Sequence, residues 1–68
     1  MSETTRKQQI EYLNDQLHRN YEMQDDLQRL SLDSKTTEER KKLATAKWQV
    51  LQTAAQQILS LIDKFKND

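Results

Sequence analysis

No glycine and no proline occurs anywhere in this 68-residue sequence, so the two residues that ordinarily punctuate turns are both missing. Gln, Leu, Lys, Glu, Arg and Ala dominate in their place, and all are strong helix formers. Strand readings fail, because no stretch alternates apolar and polar residues at period two and β-branched residues are few. The chain is therefore expected to be all-α.

A first helix is expected from about Glu3 to Leu30, with Ser2 as its cap and Glu3 near the positive end of the helix dipole. Ile10, Leu13 and Leu17 recur at spacings of three and four, followed by Tyr21, then Met23, Leu27 and Leu30. Taking Ile10 and Leu17 as equivalent heptad positions carries the seam to Asn20 and Gln24, whereas Met23, Leu27 and Leu30 need a frame displaced by three. On that reading helix 1 meets one neighbour with its first half and another with its second.

The Ser31–Thr36 segment is the expected turn, since Ser, Asp and Thr side chains compete with helical backbone hydrogen bonds. Thr36 with Glu39 three residues on matches a capping box opening a second helix, expected from about Thr37 to Lys66. Its seam is regular: Ala44, Trp48, Leu51, Ala55, Ile58, Ile62 and Phe65 step by four and three. The whole of 1–68 then reads as one two-helix antiparallel hairpin, assembling into a four-helix bundle or coiled coil. The alternative is one continuous long helix of roughly 95 Å in a coiled coil, at 1.5 Å per residue. Three polar seam positions in a row, Ser34, Thr37 and Lys41, weigh against it.

Apolar residues are unevenly shared between the halves. Val50, Ala54, Leu59 and Leu61 flank the helix 2 seam and widen it past what one antiparallel neighbour covers. A 68-residue core is marginal even when well filled, and no cysteine is present to staple it. Trp48, Leu51, Ala55, Ile58, Leu59, Leu61, Ile62 and Phe65 are accordingly expected to bind a partner, either a second copy or the helices of another subunit.

Little in the chain suggests chemistry. With one His, no Cys and no Gly, it lacks a nucleophile–base pair and a phosphate-cradling loop. His18 lies near Asp15, Asn14 and Glu22, a grouping common on solvated helix faces, and no metal site or cofactor is expected. The adjacent acids Asp25–Asp26 and Glu38–Glu39 have no concave pocket to split their pKa values. Asp15–Arg19, Asp25–Arg29 and Glu38–Lys42 read as i,i+4 pairs, each supporting a helix by roughly a few tenths of a kcal/mol.

Eleven basic and eleven acidic residues cancel, which leaves no global field for nucleic acid or anionic membrane. Arg40, Lys41, Lys42 and Lys47 form the only basic cluster, a possible contact for nucleic acid or an acidic partner. No apolar run reaches the length of a signal core or membrane span, and the missing cysteines suit the cytoplasm or nucleus. The expected function is a non-enzymatic interaction or scaffold module. Two alternatives are a small nucleic-acid-binding hairpin dimer and a regulatory inhibitor that masks a protein partner.

Overall fold

A computed structural model describes residues 2–67 and shows two helices, α1 (Glu3–Leu32) and α2 (Glu38–Asn67), packed against one another along their length. The molecule is 51 Å long, about half the span of a continuous helix through all 68 residues. The chain is thus a helical hairpin, and the single-rod alternative is excluded.

Ser2 caps α1 as expected: its Oγ accepts the Thr5 N–H at 3.2 Å. The far end differs from expectation by two residues. Ser31 was placed in the turn, yet it stays helical, its hydroxyl donating to the Gln28 carbonyl at 2.9 Å. This back-bond spends the competing hydroxyl on the helix itself, and the turn begins only at Asp33. There the Asp33 carboxylate accepts the Lys35 N–H and its carbonyl accepts the Thr36 N–H. Among the described residues no backbone φ is positive. Because Asp33 leaves the helix in an extended conformation, the reversal needs no left-handed residue, which is how it dispenses with the glycine that commonly ends a helix.

The start of α2 is also one residue later than the capping box implied. Thr37, not Thr36, is the cap: its Oγ1 accepts the Arg40 N–H at 3.3 Å, and its carbonyl accepts from Lys41. Arg40 therefore occupies the third helical position, and Glu39 cannot close a reciprocal box. Replacing Thr37 by Ala is expected to lower stability by about 1 kcal/mol through loss of that cap. Thr36→Ala should leave the thermal midpoint near the wild-type value; a larger loss from Thr36 would reverse the assignment.

The expected α2 seam is the one the hairpin uses. Ala44, Ala55 and Ile62 are 2%, 3% and 6% exposed, and Trp48, Leu51, Ile58 and Phe65 are half-buried. On α1 the expected frame shift does not occur. The inward residues are Ile10, Leu13, Leu17, Asn20, Gln24, Leu27 and Ser31, an unbroken heptad alternation. Met23 and Leu30, which suggested a displaced frame, are exposed.

What holds that frame is polar. Asn20 donates from Nδ2 to the Leu51 carbonyl at 2.8 Å, and Gln24 donates from Nε2 to Asn20 Oδ1. Both amides are buried, and no buried side-chain nitrogen or oxygen among the described residues lacks a partner. A carbonyl oxygen has two lone pairs, so Leu51 can accept from Asn20 while keeping its helical bond. The small Ala55 on the next turn lets α1 approach closely enough for that contact.

Candidate protein-docking surface

Two helices cannot enclose a core, and the numbers show how far short they fall. The accessible surface is 5579 Å² for 8.1 kDa, against about 4,500 Å² for a compact monomer of that mass. The radius of gyration is 15.6 Å, against about 11 Å for a globule of this length. Among the described residues no large side chain is fully buried. Every bulky α2 seam residue except Ile62 keeps one edge in water.

The remaining apolar side chains are not scattered evenly. Counting heptads outward from the two seams places Met23 and Leu30 of α1, with Tyr12 further out, along one flank of the hairpin. Leu43, Val50 and Leu61 of α2 fall on the same flank. All six are exposed, Val50 most at 69%. The opposite flank carries Asn14, His18 and Gln28 of α1 with Thr45, Gln49, Gln52 and Gln56 of α2; Tyr21, Leu59 and, at the turn end of α1, Leu32 are its exposed apolar members. The hairpin thus has an oily side, most continuous near the turn because Gln9, Gln16, Gln57 and Lys64 share its open end, and an amide-rich side.

Surface grooves mark the oily side. One has a volume of about 580 Å³ and is lined by Met23, Leu27, Ala46, Val50 and Leu51, with Asp26 and Lys47 as its charged members. A smaller groove of about 170 Å³ lies towards the turn, between Leu27 and Leu30 of α1 and Leu43 and Ala44 of α2. Together they make a trough lined by both helices; counting along the antiparallel pair from the Asn20–Leu51 bond puts Met23 at about the height of Val50, Asp26 at that of Lys47, and Leu30 at that of Leu43. The groove on the other flank, about 210 Å³, is lined by Gln28, Ser31 and Thr45 as well as Leu27, Ala44 and Trp48.

Of the eight residues expected to meet a partner, Trp48, Leu51, Ala55, Ile58, Ile62 and Phe65 line the interhelical seam. Leu61 lies on the oily flank and Leu59 on the amide-rich one. Met23, Leu30, Leu43 and Val50 do not stand out as a set in the sequence. The signal was available in their heptad positions, but only once the α1 frame was known.

The basic cluster does not form one patch. Arg40 and Lys47 border the oily trough. Lys41 sits half-buried at the end of the seam, 3.9 Å from Glu38. Lys42 falls on the opposite flank, since three consecutive helical residues spread over about 200°. Among the expected helix-surface pairs, Asp25–Arg29 forms at 2.8 Å. Glu38 reaches Lys41 in place of Lys42, and Asp15–Arg19 is not within ion-pair distance. His18 Nε2 lies 3.1 Å from Glu22 Oε1, with both side chains largely in solvent. No group of three or more potential metal ligands occurs among the described residues, and no helix is long and apolar enough to cross a membrane. No protein-family model, curated protein or solved structure matches the chain.

Proposed function

We propose that this chain is a non-enzymatic protein–protein interaction module that works by packing the oily flank of its hairpin against the helices of a protein partner. The observation that carries the reading is the coincidence of an unclosed core with an apolar trough that, among the described residues, is broader on one flank than on the other. Contiguous exposed apolar surface, bordered by charge, is the ordinary mark of an interaction site. Helix-in-groove packing is the docking mode that such a trough fits.

Asp26, Lys47 and Arg40 border the trough, where charge selects partners and steers approach more than it adds affinity. The division of the four cations among the seam and two flanks favours a protein partner over nucleic acid, which calls for a continuous basic stripe. The cytoplasm or nucleus is the compartment in which a cysteine-free helical module of this kind is proposed to act.

A photoreactive benzoylphenylalanine at Val50 tests the reading in cells that naturally make the protein. Irradiation is expected to give covalent protein adducts from position 50 and none from the same residue at Gln49, one step round the helix on the amide-rich flank. Equal yields from the two positions, or none from Val50, would remove the proposal.

A further inference from the structure

We propose, building on that docking reading, that the oily flank is covered by a second copy of this chain, in a two-fold symmetric four-helix bundle whose two turns lie at the same end. The hairpin has surplus surface enough for such an interface. The hairpin exposes about 1,100 Å² more than a compact monomer of its mass, and a stable interface of standard size buries about 800 Å² per partner. The chain's acidic and basic residues balance, so two copies meet without net repulsion.

Symmetry then decides the arrangement. An isologous interface must complement itself, and the matched heights within the trough supply that property. With the two-fold axis parallel to the helices, α1 of one copy lies over α2 of the other at the same height. Met23 then meets the second copy's Val50, Leu30 meets its Leu43, and Asp26 meets its Lys47. Apolar residues cover apolar residues, and each acid faces a base. Every neighbouring helix pair in this bundle is also antiparallel, the favourable arrangement for helix dipoles.

The end-over-end alternative lays α1 on α1 and α2 on α2. The placement that keeps Met23 over Leu30 and Val50 over Leu43 then brings Asp26 onto Asp26 and Lys47 onto Lys47. Like charges face each other at the centre of the interface, and the open ends of the hairpins project without cover.

Light scattering with double electron–electron resonance tests both parts. The wild-type chain is expected to have twice the mass of 8.1 kDa. Asp26→Lys should weaken self-association at least about tenfold by setting like charges face to face, and Lys47→Asp in the same chain should restore it. Both residues are exposed, so neither change threatens the fold. The absence of native cysteine makes Lys66→Cys a unique spin-label site at the open end of the hairpin. Labels on the two copies should lie less than half the 51 Å molecular length apart.

A dimer with labels separated by most of that length or more would overturn the same-end arrangement. A monomeric mass together with adducts from Val50 to a different protein would overturn the second copy as occupant while leaving the docking reading intact. A monomeric mass with no adduct from Val50 would remove both.

Discussion

Ile62→Ala is expected to unfold most of the hairpin at room temperature. Ile62 is the one large aliphatic side chain that the two helices bury, and truncating such a residue typically costs about 2–5 kcal/mol in lost transfer energy and residual cavity. A core in a chain this short supplies only about 3–5 kcal/mol in total. The loss is therefore comparable to the whole stability. Circular dichroism should show the helical signal at 222 nm falling together with the thermal midpoint. Leu59→Ala is the control: its side chain is exposed on the amide-rich flank, and surface substitutions of that kind stay within about 0.5 kcal/mol. If Ile62→Ala melted with the wild type, the interhelical seam would not be what holds the chain folded.

The second large effect is expected at Asn20. Replacing it by Ala removes the donor to the Leu51 carbonyl and leaves the buried Gln24 amide without its acceptor. Stranding a buried amide costs about 1–3 kcal/mol, so a clear drop in the denaturation midpoint should follow. Changing Asn20 and Gln24 together to Leu should have the opposite sign, because an apolar pair has no hydrogen bonds to satisfy and fills the seam. The expected consequence is a higher midpoint with a less singular structure: a buried polar position fixes helical register at the expense of stability. Amide NMR spectra of the double variant should show peak multiplicity absent from wild type. A single sharp set of peaks at the raised midpoint would show that register is fixed elsewhere, for instance by the five-residue turn.

These two residues also explain which parts of the architecture were legible in the sequence. The α2 seam was readable throughout, since all seven of its positions are apolar and evenly spaced. The α1 seam was readable only in part: the Ile10–Leu17 frame leads to Asn20 and Gln24, but apolar Met23 and Leu30, which lie outside it, point to a displaced frame. Hydrophobic periodicity alone cannot rank a frame containing two amides above one that gathers more apolar side chains. What favours the amide frame is a hydrogen bond to a carbonyl 31 residues away, which no local pattern reveals. The helix ends were misplaced by one or two residues for a related reason. Ser31 and Thr37 each had two possible uses for one hydroxyl, and the geometry of the reversal selected between them.

The helices, the existence of the reversal and the face that α2 turns inward could all be read from local residues. Each follows from propensity and from a spacing that repeats within one segment. Which face of α1 meets it, and hence which apolar residues are left over, depends on how the two helices pair. Once Asn20 and Gln24 occupy the seam, Met23 and Leu30 are forced onto the flank that already carries Leu43 and Val50. The oily side of the hairpin is thus a consequence of pairing two helices in one register, and it belongs to neither helix alone.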